Sequence, residues 1–377
     1  MSTILVTGAR APVAVDLARS FAAAGHWVHL ADSVTGWAAR LSRSVTATHL
    51  LAPPRTDFPR FAAGLRDLVA RLDPVAILPT CEEVFYVAAA GLGERVLAPP
   101  SAVLRTLHSK IGFACHARGL GLAAPETWRV ESRADLGALP VAPEALVFKP
   151  DFSRFATHTL IRPTRTQLDA IDPTPAMPWA AQRFVAGEEL CLWSFARQGR
   201  LVASVVYRPL WRHGRAAAYA FEAVECPGGL AIARTIAEAN SLTGHLSFDV
   251  IVTPDGTVVP IECNPRAVSG LHLFDARPEL ARAMLGEGGA HAVGGVRYLG
   301  PAMALLGVPA AIASGRVRAF AGDVRRGRDA VGRIGDRRPA IGALIDAGRF
   351  GVRALATRRS PAGATTDDIE WNGEPIA

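Results

Sequence analysis

The dipeptide Asp255-Gly256 stands between two runs rich in Val, Ile and Phe in the stretch 246–266, LSFDVIVTPDGTVVPIECNPR. Asp-Gly is well suited to a two-residue type I′ turn, so this stretch is expected to form a β-hairpin. With that turn, Asp249 lies directly opposite Glu262. Facing carboxylates repel and weaken a sheet. Asn264, two residues after Glu262, points to the same face. Three oxygen donors on one face, two of them charged, suit Mg²⁺, which takes carboxylates and completes its shell with water and phosphate. A solvated face with chance acidic residues has the same pattern.

At 377 residues, half of them apolar and 20% charged, the chain is expected to hold two or three globular domains. No run reaches the roughly 18 apolar residues of a membrane span. Residues 301–314 come nearest and are broken by Gly307 and Pro309. The start MSTILVTG lacks a basic region and a cleavage site, so no signal peptide is expected. Five cysteines without paired or CxxC spacing fit a reducing cytoplasm and no zinc site. The net charge of +7 gathers between Arg316 and Arg359, with no aromatic interleaving and no nucleic-acid motif. Arginine has displaced lysine almost everywhere except at Lys110 and Lys149, the two lysines of the chain. Keeping both points to a need for a compact ammonium at each place.

Along the chain, residues 3–7 read as a strand, 8–12 as a turn, and Val13, Leu17 and Phe21 recur at helical spacing up to Gly25. A second strand, 27–31, ends at Asp32, where a Rossmann-like unit would meet a ribose. Arg10 and Val13 occupy the places of the second and third fingerprint glycines, so no dinucleotide is expected. A helix at 58–72 and a buried strand at 75–79 follow. Thr80, Glu82 and Glu83 then fall at the carboxyl end of that strand, either near a ligand or capping the next helix. A helix is expected over 110–118, a strand over 145–148 ending in Lys149, and another over 179–185. After those come a turn at 187–189, strands at 190–196 and 201–207, a helix at 232–242 and one from about 278. The tail from 301 reads as amphipathic helices and becomes irregular after Ser360.

The order Lys110, Lys149, QRFVAGEE and D-x₁₂-E-x-N-P-R resembles the ATP-grasp superfamily, including carbamoyl phosphate synthetase and D-alanine-D-alanine ligase. The resemblance covers roughly residues 1–300. It implies an α/β ATP-grasp fold: a Rossmann-like pre-ATP-grasp domain (1–108), grasp subdomains at 109–180 and 181–300, and a helical C-terminal extension (301–377). It also implies a cytoplasmic enzyme that uses ATP and Mg²⁺, with Mn²⁺ as a substitute, to turn a carboxylate into an acylphosphate captured by an amine. Small-molecule acid and amine are the implied partners, with no nucleic acid, no membrane, and room for a homodimer. By the same resemblance Lys110 and Lys149 hold the nucleotide phosphates. Gln182 faces the adenine amino group, the backbone near Phe184 and Val185 reads the ring edge, and Glu189 accepts the ribose hydroxyls. Asp249, Glu262 and Asn264 are the implied metal ligands, and Arg266 meets the transferred phosphoryl.

One departure from the family is the loop after Lys149, DFSRFATHTL, which has no glycine where the family's phosphate loop is glycine-rich. Ser153, Arg154, Thr157 and His158 are the side-chain donors available in its place. Arg208, with Arg212 and His213, suits a carboxylate substrate or a solvated edge strand. Ser269, Gly270 and His272 follow the metal strand and suit an acid cradle, with His272 either a base or a packed residue. An ATP-dependent phosphotransferase or an ATP-binding regulator is the alternative to the ligase. A nicotinamide oxidoreductase ranks last.

Overall fold

A computed structural model describes residues 1–153, 158–214 and 218–376. The first unit is a parallel sheet of β1 (Thr3–Thr7), β2 (Trp27–Asp32), β3 (Ala47–Leu50) and β4 (Ala76–Pro79), in the order β3-β2-β1-β4. The central strands β1 and β4 are continuous, buried apolar runs because both faces of the sheet are covered there. Ile4 and Val6 pack with Leu17 and Phe21 of the helix Pro12–Ala23. Leu5 and Ile77 pack with Phe61, Leu65 and Leu68 of the helix Phe58–Leu72. That second helix starts where Asp57 accepts a hydrogen bond from the Arg60 amide at 3.2 Å.

The second sheet is antiparallel, made of β5 (Thr127–Val130), β6 (Leu146–Pro150), β7 (Leu160–Ile161) and β8 (Trp179–Arg183), in the order β5-β8-β6-β7. The third is larger. Its strands are β9 (Glu188–Arg197), β10 (Arg200–Arg212), β11 (Ala218–Val224), β12 (Gly244–Val252), β13 (Val258–Asn264), β14 (Ala290–His291), β15 (Val296–Tyr298) and β16 (Arg328–Asp329). Its path runs β13-β12-β9-β10-β11-β15-β16, with β14 beside β10. The expected turn at 187–189 is shorter than read, because Glu188 and Glu189 already pair with Val252 and Ile251 inside β9. The helix expected at 232–242 runs Pro227–Ala239. Its first turn contains Gly228, where a Cβ would sit 2.7 Å from Val258 Cγ2, so close packing favours a glycine there.

Beyond residue 300 come helices Val308–Ala313, Val317–Arg326 and Arg338–Thr357. The final residues, expected to be irregular, are firmly seated. Asp368 pairs with Arg10, Glu370 with Arg55, and the Tyr86 hydroxyl donates to the Glu370 carbonyl at 2.9 Å. Among the described residues no helix is long and apolar enough to cross a membrane.

Candidate functional site

The hairpin of β12 and β13 pairs Asp249 with Glu262, Phe248 with Cys263 and Ser247 with Asn264. The expected pairing is present, but by another route. The turn spans three residues, closed by Thr253 and Thr257, with Gly256 at φ +85°. A bulge between the Asp249 and Val250 pairs then takes up Ile261 and restores the register. Pro260, which has no amide to donate, sits beside that bulge on the edge strand.

One face of the sheet collects the oxygen donors. Asp249 lies between Glu262 on β13 and Cys191 on β9, and Cys191 in turn pairs with Tyr207 on β10. Burial first, and then repulsion from Glu262, raise the Asp249 carboxyl, while a hydrogen bond from Cys191 works the other way. Burial also pushes up the Cys191 thiol and the Tyr207 hydroxyl. Neither residue was singled out from sequence, although pairing across β9 would have placed Cys191 against Asp249.

Lys149 reaches this face from the second sheet. It is buried at the end of β6, and its Nζ lies 3.9 Å from Glu262 and 3.4 Å from Gln182 Oε1, to which it donates. Desolvation lowers its pKa most, Glu262 opposes that shift, and the neighbouring Lys110 adds to it. Gln182 donates onward to Thr127 Oγ1 at 3.3 Å. Lys110 opens the helix Lys110–Gly119, and its Nζ donates to the carbonyls of Asp151 (3.3 Å) and Ser153 (3.0 Å). The Asp151 carboxylate accepts from Ser109 Oγ at 2.8 Å and from the Ile111 amide at 3.0 Å. Lys110 therefore braces the loop that follows β6, while Lys149 faces Glu262 and Gln182. Within that loop Ser153 Oγ donates to the Pro150 carbonyl at 3.1 Å. Arg154 and Thr157 lie outside the described residues.

The segment joining β8 to β9 carries Phe184 and Val185, both half-buried. The Phe184 amide donates to the Ala145 carbonyl at 2.9 Å. Glu189, on the same face as Asp249, holds Arg212 at 2.7 Å. Arg208 does not join this group. It projects from the opposite face of β10, where it pairs with Glu188, because Val206, two residues earlier, packs into the core behind the sheet.

Arg266 donates from Nη2 to Asn264 Oδ1 at 3.1 Å, and its Nε lies 3.7 Å from the buried Glu82. That contact draws the carboxyl end of the parallel sheet up to the hairpin. Glu83 points elsewhere, accepting from Thr7 Oγ1 and the Thr80 amide, each at 2.9 Å, and from the Cys81 amide.

The turn Ser269–Phe274 lies against the sheet. A Cβ on Gly270 would stand 2.7 Å from Trp193 Cβ and 2.8 Å from Tyr207 Cε1, so close packing requires that glycine. Ser269 Oγ donates to the Ala218 carbonyl at 3.2 Å. His272 is no free base: its Nδ1 is bound to Asp16 at 2.7 Å, in a buried cluster with Arg333 and Arg19. Asp32, at the expected ribose position, is taken by the Arg10 guanidinium, which Asp368 clasps from its other side.

No protein-family model matches the chain, and no curated protein matches it by sequence. Solved structures do match. N5-carboxyaminoimidazole synthetase from Staphylococcus aureus, complexed with ADP, is 12% identical over 82% of this chain and 85% of its own, with a TM-score of 0.65. The L-amino acid ligase of Bacillus licheniformis is 16% identical over 75% and 74%, with a TM-score of 0.57. The biotin carboxylase domain of Hydrogenobacter thermophilus 2-oxoglutarate carboxylase, in complex with MgADP, ADP and bicarbonate, is 12% identical over 76% and 70%, with a TM-score of 0.58. These neighbours are ATP-grasp enzymes, and at such identities the likeness is one of architecture: the chain has the ATP-grasp fold.

Proposed function

We propose that this protein is an ATP-dependent ligase that activates a carboxylate as an acylphosphate and joins it to an amine. The γ-phosphoryl group passes from ATP to a carboxylate oxygen and ADP leaves; the amine then attacks the acyl carbon and phosphate departs. The observation that carries this reading is the Asp249–Glu262 pair facing across the hairpin, with Lys149 Nζ 3.9 Å from Glu262. Two carboxylates held together at a cost fit a divalent cation, and Asn264 supplies a neutral oxygen on the same face. Mg²⁺ or Mn²⁺ there would neutralise charge on the phosphates.

In this reading Lys149 and Lys110 hold the phosphates, with Lys110 also bracing the loop through its two carbonyl contacts. Ser153 is a further donor in that loop. Gln182, Phe184 and Val185 frame the base, and Glu189 takes the ribose once Arg212 yields. Arg266 stabilises charge on the transferred phosphoryl. Ser269 and Gly270 border the acid, and Arg212 replaces Arg208 as the arginine available to a carboxylate. Five free cysteines suit a reducing compartment, and we place the enzyme in the cytoplasm. ADP release that requires both an acid and an amine, with an amide product identified by mass, tests the reading. ADP release with a stable phosphorylated product and no amine would replace it with a phosphotransferase.

A further inference from the structure

Among the described residues, most of the exposed large apolar side chains lie in one part of the chain, between Leu305 and Leu355. The helix Arg338–Thr357 shows why this is unusual. Its inner face is already seated on the first unit: the Asp346 carboxylate accepts from the Trp37 and Ala38 amides at 3.0 and 2.9 Å, and Gly342 lies against the Trp37 backbone. Its outer face should then be polar. Instead Ile341, Ile345, Val352 and Leu355 recur at helical spacing and are 59, 40, 68 and 83% exposed. The helical run at 300–313 meets this helix through its first turn, Gly300–Ala302, and adds Leu305 and Ile312, 51 and 66% exposed. An apolar surface of that extent marks a site of interaction.

The charges around it identify the occupant. Residues 301–359 hold twelve arginines and four aspartates, a surplus that exceeds the +7 of the entire chain. All four aspartates are turned inward: Asp323 to Trp211, Asp329 to the Gly300 amide, Asp336 to Arg19, and Asp346 to Trp37. The exposed charges of this region are therefore arginines, among them Arg316, Arg318, Arg338, Arg358 and Arg359. A second copy of the chain would bring the same arginines against these. An anionic bilayer offers what the surface lacks, an apolar layer beneath a negative plane.

We infer that the C-terminal extension docks the protein on an anionic lipid surface, with the outer face of the helix Arg338–Thr357 immersed at the headgroup boundary and the arginines on the phosphates. The helix lies on the bilayer and does not cross it, so the docking needs no membrane-spanning helix, and none is present among the described residues. It departs from the sequence reading that no membrane is a partner.

The test is sedimentation of the full chain with vesicles of phosphatidylcholine alone and of phosphatidylcholine mixed with phosphatidylglycerol. Binding is expected on the mixed vesicles, weak on the neutral ones, and declining as salt is added. Val352→Asp with Leu355→Asp should weaken partitioning about tenfold or more while leaving thermal unfolding unchanged, since both side chains are exposed. Arg358→Ser and Arg359→Ser should each weaken it about fivefold on the mixed vesicles alone. Failure of the full chain to sediment with the mixed vesicles would overturn the inference, as would binding indifferent to Val352→Asp and Leu355→Asp. Self-association abolished by Val352→Asp would assign the face to a second copy instead.

Discussion

Arg10 and Asp368 form a buried ion pair at 2.6 Å between the first turn of the parallel sheet and the end of the chain. The guanidinium also holds Asp32, so the crevice where a dinucleotide would bind is filled by the protein's own tail. Asp368→Asn should cost about 3 kcal/mol, near the low end for breaking a buried pair because Asp32 remains. Denaturant unfolding measures it. Arg10 holds the Asp368 carboxyl down at about 2 against burial. A depressed carboxylate stabilises above its unfolded value and loses that contribution as pH falls from near 4 towards 2. The wild type should therefore lose more stability than Asp368→Asn over that window; equal acid sensitivity would show that the pair contributes little.

Glu262→Gln should abolish turnover of metal-bound ATP and leave the fold intact, with stability unchanged or slightly raised because one of two facing carboxylates is gone. Near wild-type turnover in this variant would remove the metal assignment. Its neighbour Asp249 is raised to about 6 by burial and then by Glu262. A raised carboxyl destabilises the metal-free protein as pH climbs through that value, and metal binding requires it ionised. Calorimetry with Mg²⁺ and ADP should show affinity falling as pH drops below about 6, and a smaller pH effect in Glu262→Gln.

Arg266→Ala should lower kcat by about 10²–10³ with little change in nucleotide affinity. The same loss appearing in nucleotide binding instead would make Arg266 a ground-state contact. Because Arg266 lies 3.7 Å from Glu82, Glu82→Gln is expected to lower kcat less, by leaving the guanidinium less well aimed.

Trp371 stacks on Phe85 at 4.5 Å between ring centroids and meets Phe152 edge-on at 5.2 Å. Phe152 belongs to the loop that Lys110 braces, so the tail supports that loop from outside. Trp371→Ala should cost about 3 kcal/mol as a large-to-small change in a packed site and raise KM for ATP. An unchanged KM beside the stability loss would confine Trp371 to a structural role.

Local signals carried much of this protein. The Asp-Gly turn, the alternation around Asp249 and the retention of two lysines were legible because each depends on a few neighbouring residues and on strand periodicity. Even there one outcome rested on two irregularities, a longer turn and a bulge at Ile261, which offset each other in register. Pairing by number was insensitive to both.

What the sequence by itself determined was which strands form, which side chains share their faces, and that an ammonium and two carboxylates belong near one another. Tertiary structure alone decided the rest. Arg208 and Arg212 stand four residues apart on one strand, yet the two register shifts on either side of Trp211 separate them, and one lies behind the sheet while the other reaches Glu189. His272 became a partner of Asp16, and the tail became a brace, because ion pairs and ring contacts form between segments hundreds of residues apart. Such contacts leave no periodic trace in sequence, since their geometry exists only once the chain has folded.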